Sequence, residues 1–331
     1  MLRIDYLNLK TEIRTGNEAF KDFLKNNFGD FITEAKEIRG EEPDIEVDIA
    51  FARAGSGSAN DWLGEAERAN PMILGNSIRA GRDSVFYHYG AHVIRASRVG
   101  GVLRVSGLHL STRRFRGSAL LNHGRWHEVY QAMMRLCVHF PLFSLLQEKG
   151  YSVLHASAVA KEGKAILFLG LNGAGKGTSA LSLLPELNIL ADNFLLFDGD
   201  YIYGFPETIR ISPQVAKSLH LDAGGDMVFG KLQKKNSLKL SEVKAKAEKA
   251  IICRRGEMTS WEEMDRNSAL AYVEAADRFL HENQAYSYMA FLTNRKTPDR
   301  YPDCPFYLAT LGGFESARNM LRERLGVING L

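Results

Sequence analysis

Cysteine is scarce in this 331-residue chain. Cys137, Cys253 and Cys304 lie far apart, so neither a disulfide framework nor a thiolate metal cage is expected. Charge of one sign is also lacking. Lys+Arg 42 stand against Asp+Glu 39, for a net charge of +3, which gives no footprint for nucleic acid. No apolar run approaches the ~20 residues of a membrane span. The opening MLRIDYLNLKTEIR carries charge throughout, unlike a signal peptide. These absences lead us to expect a cytoplasmic protein without membrane or nucleic-acid partners. HExxH, GxSxG and CxxC are absent as well, which removes the zincin, serine-hydrolase and thioredoxin-like readings. No internal repeat or low-complexity segment stands out.

Hydrophobic residues make up 45% of the chain and charged residues 24%, as in an ordinary globular protein, and the length suggests about two domains. The first third reads as a mixed, mainly antiparallel module over residues 1–124. MLRIDYLNLKTEIR and DIEVDIAFA alternate as strands, and NEAFKDFLKNNF turns Phe20, Phe23, Leu24 and Phe28 to one helical face. SVFYHYGAHVIRASRVGGVLRVSGLHL reads as further antiparallel strands. Residues 53–71, small, polar and glycine-rich, read as a loop. STRRFRG holds Arg113, Arg114 and Arg116, read as a solvated basic patch that an acidic acceptor would also suit. Over residues 125–150 a connecting helix is expected, its core face made by Trp126, Val129, Tyr130, Met133, Cys137 and Phe140. Pro141 should kink or end it, and Gly150 should close it.

The remainder, residues 151–331, reads as an α/β (α+β) nucleotide-binding domain. SVLHASAVA and KAILFL are strand-like and joined by the turn KEGK; NILADNFLLF is a third apolar strand. The acids of DGD, Asp198 to Asp200, read as solvated turn formers rather than a metal site. The lysine-rich stretch 232–249 reads as a solvated loop or helix face. Two helices are expected near the end, one capped by Asn267 or Ser268 and one finishing near Gly326.

The chemistry concentrates in ILFLGLNGAGKGTSALSLL. Glycines 170, 173 and 175 let backbone N–H groups turn inward, a helix starts at the loop, and Lys176 supplies charge. Strand, loop and helix come in the order a phosphate-binding (Walker A) loop needs. Gly170, Asn172, Gly173, Ala174, Gly175, Lys176, Gly177 and Thr178 are therefore the expected nucleotide contacts. The position that usually carries a Mg²⁺-ligating hydroxyl is Gly177. Thr178 lies about 100° further round the helix and is expected to reach a phosphate oxygen instead. Asp192, a carboxylate among apolar strand residues, needs a cation or donors to be buried.

With His155 included, Ser152 to Phe205 resembles the core of the HPr kinase/phosphorylase family, whose fold is shared with ATP-dependent phosphoenolpyruvate carboxykinases. The resemblance implies a P-loop kinase core, ATP and Mg²⁺. It implies Asp192 as metal ligand and His155 as the histidine beside the acidic pair, with Asn193 where the pair's second acid stands. Asn193 cannot take a proton as a carboxylate does, and the family's second signature loop has no convincing copy, so reverse phosphorolysis is not expected. The implied activity is transfer of the γ-phosphoryl of ATP to a hydroxyl, on a peptide or protein serine or on a small molecule. The alternative is a nucleotide-binding sensor or scaffold without transfer. A homo-oligomer stays open. The GKGT ending also resembles adenylate kinases, where the loop opens the chain; here more than 160 residues precede it.

Overall fold

Alternating apolar residues build two large sheets, each the centre of its own compact unit, beside a three-stranded one. The computed structural model describes residues 1–34, 42–53, 72–74, 78–80, 83–89, 91–111, 123–184, 186–220, 227–228, 231–234, 244–281, 289, 292–293 and 301–326. Unit 1 comprises Met1–Lys149, Asp226–Phe229 and His281–Lys296; unit 2 comprises Gly150–Gly225, Gly230–Leu280 and Thr297–Leu331. The division after Lys149 falls at Gly150, which has φ 94. Of the glycine-rich loop expected over residues 53–71, Arg53 ends a strand and the rest lies outside the described residues, as do the arginines of STRRFRG.

Unit 1 is a mixed sheet of β1 (Leu2–Tyr6), β2 (Leu9–Thr15), β3 (Ile32–Glu34), β4 (Ile45–Arg53), β5 (Met72–Leu74), β6 (Ile78–Ala80), β7 (Ser84–Tyr89), β8 (His92–Val99) and β9 (Val102–Ser111). Their order is β3-β1-β2-β4-β9-β8-β7-β6-β5. Antiparallel pairing dominates, while β2–β4 and β4–β9 are parallel, so the sheet is mixed and mainly antiparallel, as expected. The first parallel joint follows a crossover through the helix Glu18–Phe28, the connection a parallel pair requires. Asn17 caps that helix by accepting from the Phe20 N–H, and Phe20, Phe23, Leu24 and Phe28 are buried as their spacing predicts.

The long helix of residues 123–148 belongs to unit 1. Pro141 does not end it, and stands in the first turn of the α-helical segment Phe140–Glu148. A π-helical turn at Arg135–His139 precedes it, and the Phe140 N–H bonds back to Arg135 O, five residues away. The wider turn absorbs the position where Pro141 brings no donor and would crowd a regular turn. The stretch Trp126–Glu148 is long and apolar enough to cross a membrane (23 residues, mean hydropathy 1.2). However, 89% of its most apolar window is buried, as in the core helix of a globular unit. Under this unit's helix, His92 and His109 stand directly opposite each other on β8 and β9. Burial pushes both imidazoles down to about 4, with His109 and His88 adding repulsion at His92.

Unit 2 contains β10 (Ser152–Leu154), β11 (Ser157–Lys161), β12 (Lys164–Leu169), β13 (Asn188–Ala191), β14 (Leu195–Phe197), β15 (Ile202–Gly204) and β16 (Ile209–Ile211). After the two-residue β17 (Met227–Val228), which groups with unit 1, come β18 (Lys231–Lys234), β19 (Lys244–Arg255), β20 (Ser260–Met264) and β21 (Phe306–Leu311). The main sheet runs β10-β14-β15-β19-β12-β11-β13, with β21 beside β19 and β20 beside β21. Strands β12, β19 and β21 are parallel, so their C-terminal ends share one edge. One face buries Leu167, Leu169 and Ile252 under Ala269 and Val273 of the helix Arg266–His281. The other buries Phe168, Ile251 and Cys253 under Ala180 and Leu181 of the helix Lys176–Leu181 and Ala317 and Leu321 of the helix Phe314–Arg324. The result is a sheet between two helical layers.

Two local expectations are corrected. Of the lysine-rich stretch 232–249, residues 235–243 lie outside the described residues and the rest is strand, in β18 and β19, not a loop or helix face: exposed Lys244 and Lys246 flank buried Ala245, the period-two pattern of a strand. The helix Arg266–His281 takes its cap from Asp265, whose Oδ1 accepts from the Ser268 N–H at 3.0 Å; Asn267 and Ser268 lie inside the first turn. The last helix ends at Arg324, followed by Gly326 at φ 68, as expected.

Candidate functional site

The site begins where two strand pairs break opposite each other. SVLHASAVA is not one strand: His155 and Ala156 separate β10 from β11. NILADNFLLF is not one strand either, because Asp192, Asn193 and Phe194 separate β13 from β14. Leu154 pairs with Leu195 on one side of the break and Ala158 with Ala191 on the other. The two interruptions therefore face each other, and His155 sits at a break rather than on a strand. The polar residues expected at the site occupy the stretch where the ladder is open.

The contacts across this break are specific. Ser157 Oγ donates to Asp192 O at 2.6 Å. The His155 ring lies 6.1 Å from that of Phe194, and both residues are buried. Asn193 is buried too. The Asp192 side chain is held by a backbone donor from another strand: the Arg210 N–H, on β16, bonds to Oδ2 at 2.9 Å.

The glycine loop leaves the C-terminal end of β12. Gly170 has φ 131, and a Cβ there would stand 2.6 Å from Cys253 O, so both backbone shape and the neighbouring strand require glycine. Gly173 and Gly175 are also left-handed, at φ 79 and 103. Gly175 is the N-terminal boundary of the helix Lys176–Leu181. Lys176 is buried, and its Nζ donates to Gly170 O at 2.8 Å and Leu171 O at 3.2 Å, closing the loop on itself. Ala174 turns its methyl into the core, and its N–H bonds to Leu171 O at 3.1 Å. Leu171, Asn172 and Gly173 form the exposed tip. Beneath the loop, burial pushes the Cys253 thiol up to about 12 against smaller opposing pulls from Ser179 and Lys176.

Gly177 joins the two parts. A Cβ on this residue would collide with Asp192 Oδ1 and stand 3.7 Å from Ser157 Oγ. The carboxylate of Asp192 thus occupies the volume that a side chain at 177 would fill. The missing hydroxyl and the half-buried acid are two sides of one arrangement: a serine or threonine at 177 would have to displace the carboxylate beside it.

The fold thus brings Lys176, Gly177 and Asp192 together with the loop, and sets His155 and Asn193 in the facing breaks. Sequence reasoning missed Ser157, whose only signal was its place two residues after His155. It also missed the Arg210 backbone donor, which carries no side-chain signature, and the buried Glu207 just before β16. Asp198 behaves as expected of a turn former, its Oδ1 accepting from the N–H groups of Asp200 and Tyr201 at 2.9 and 2.7 Å. No protein-family model matches the chain.

Proposed function

We propose that the chain is an ATP-dependent phosphotransferase moving the γ-phosphoryl group to a hydroxyl, on a peptide or protein serine or on a small molecule. The observation that carries this reading is the Asp192 carboxylate seated against Gly177 at the first turn after the glycine loop. The resemblance of residues 152–205 to the HPr kinase/phosphorylase core supports it. Carboxylate and hydroxyl oxygens suit a hard divalent cation. Mg²⁺, held by Asp192 together with the nucleotide's phosphates, would neutralise charge on the transferring group.

The chain's own residues divide the remaining work. Lys176 exchanges its contacts with Gly170 and Leu171 carbonyls for phosphate oxygens. The left-handed glycines let the tip shape itself around the phosphates with no Cβ in the way. The acceptor oxygen forms a bond to the γ-phosphorus as the bond to the β,γ-bridging oxygen breaks, and the acceptor's proton passes to His155. Asn193 orients by hydrogen bonding and takes no proton. Loss of a carboxylate base costs about 10²–10⁴-fold in rate, so transfer is expected to be slow.

A second reading, a nucleotide sensor or scaffold without transfer, is favoured by Asn193 and by the absence of a metal-ligating hydroxyl at Gly177. Incubation with γ-labelled ATP and either serine peptides or a dephosphorylated protein fraction separates the two. Label on an acceptor hydroxyl with wild type and not with Lys176→Ala supports the kinase. Nucleotide binding without label on any acceptor leaves the sensor.

A further inference from the structure

Far along the chain from the glycine loop, unit 1 holds a second group of donor atoms. His92 and His109 face each other across β8 and β9, with Nδ1 to Nδ1 at 3.4 Å. Met133, on the helix His123–Met134, brings its Sδ to 3.1 Å from His92 Nδ1. All three side chains are buried. We propose that His92, His109 and Met133 bind a soft monovalent metal ion, copper(I).

The argument is one of lone pairs. Hydrogen bonding alone serves this arrangement poorly. A proton on His92 Nδ1 points well at the sulfur or at His109 Nδ1, not at both, and the thioether only accepts. A cation bound by the three would take the Nδ1 lone pair of each imidazole and one of the two on the sulfur. Bonds of about 2.0–2.3 Å to nitrogen and sulfur place neighbouring ligand atoms roughly 3.3–3.7 Å apart. The nitrogen pair already has that spacing, and the flexible methionine adjusts the rest. Imidazole and thioether without a carboxylate disfavour Mg²⁺ and Ca²⁺, and the soft thioether sulfur suits copper(I). Among the described residues, no group of three His, Cys, Asp or Glu side chains could hold a metal, so the site depends on the methionine.

The surroundings are built to bring the sulfur down. A Cβ on Gly107 would meet Met133 Cε at 2.8 Å and collide with Cys137 Sγ, so glycine there lets the helix approach the sheet. Cys137 lies one turn beyond Met133 and adds a second sulfur to this dry environment. The rings of Phe51 and Trp126 each pack 6.1 Å from His109 and fix its orientation. His92, 8% exposed, is the ligand closest to solvent.

The test titrates the reduced full-length chain with copper(I), without oxygen, against a chromophoric copper(I) chelator. One ion per chain should be withheld from the chelator. Met133→Leu, a volume-conserving change, should weaken binding at least about tenfold while leaving the melting temperature within a few degrees. In the wild type, the first equivalent of silver(I), a redox-inert probe, should shift the Met133 methyl resonance and the ring nitrogens of His92 and His109. This readout stands even if a variant folds poorly. The proposal is overturned if no ion is withheld, if Met133→Leu binds as tightly as wild type, or if binding disappears only with Cys304→Ser, which removes the one partly exposed thiol among the cysteines.

Discussion

Replacing Gly177 with alanine tests the junction between loop and acid. In an ordinary helix this change is favourable by about 0.5–1 kcal/mol, because glycine costs more backbone entropy than alanine. Here the new Cβ meets Asp192 Oδ1. The carboxylate cannot simply swing away, because its other oxygen accepts from the Arg210 N–H at 2.9 Å. Moving it forfeits a charged hydrogen bond worth about 1.5–3 kcal/mol, and leaving it costs overpacking of about 1–3 kcal/mol. Net of the helix gain, Gly177→Ala should destabilise by roughly 1–2 kcal/mol. With Asp192→Ala in the background the collision is gone and the same change should stabilise by up to about 1 kcal/mol. Urea unfolding of wild type, both single variants and the double variant closes the cycle, with an expected coupling of about 1–3 kcal/mol. Equal effects of Gly177→Ala in both backgrounds would show that carboxylate and glycine do not share this space. Gly177→Ser, which restores the hydroxyl of the commoner loop, should impair Mg²⁺-dependent nucleotide binding, not improve it.

Other outcomes follow from single contacts. Gly170→Ala must hold φ 131 against Cys253 O and should cost about 2–4 kcal/mol, read as a lower urea midpoint at unchanged slope. Asp265→Ala removes the cap of the helix Arg266–His281 and should cost about 1 kcal/mol, measured the same way. Burial of Asp198 works against its charge, but hydrogen bonds from the Tyr203 hydroxyl and the Tyr201 and Asp200 N–H groups outweigh it and hold the carboxyl below its usual range. A depressed carboxylate stabilises the fold above its unfolded pKa, and that stability drains away as pH falls through the folded value. Asp198→Asn should therefore lose a little stability at pH 7, no more than about 1 kcal/mol for a carboxylate still in contact with solvent. The gap to wild type should close in acid; a gap constant down to pH 2 would refute the assignment.

Much of the architecture was legible because burial writes itself into periodicity. The face of Glu18–Phe28, the hairpin of β11 and β12, and the strand, glycine loop and helix around Lys176 all follow from local spacing. What escaped was set by partners distant in sequence. Apolar runs such as NILADNFLLF read as unbroken strands, since nothing local shows that Asp192 to Phe194 face the break at His155. The parallel joints of β4 depend on which strands meet, and alternation is the same in either direction. Lys244 to Lys249 looked like a solvated lysine run because the charges mask the alternating alanines. At the site, Gly177 read as a loss. Only the position of Asp192 reveals it as a fit.

The most direct measurement is calorimetric titration of wild type and Lys176→Ala with ATP, with and without Mg²⁺. The account predicts stoichiometric binding by wild type that strengthens at least about tenfold with Mg²⁺, and a loss of at least about tenfold in Lys176→Ala, as expected when a charged contact worth 1.4 kcal/mol or more is removed. Failure of wild type to bind any purine nucleotide, or equal binding by Lys176→Ala, would contradict it.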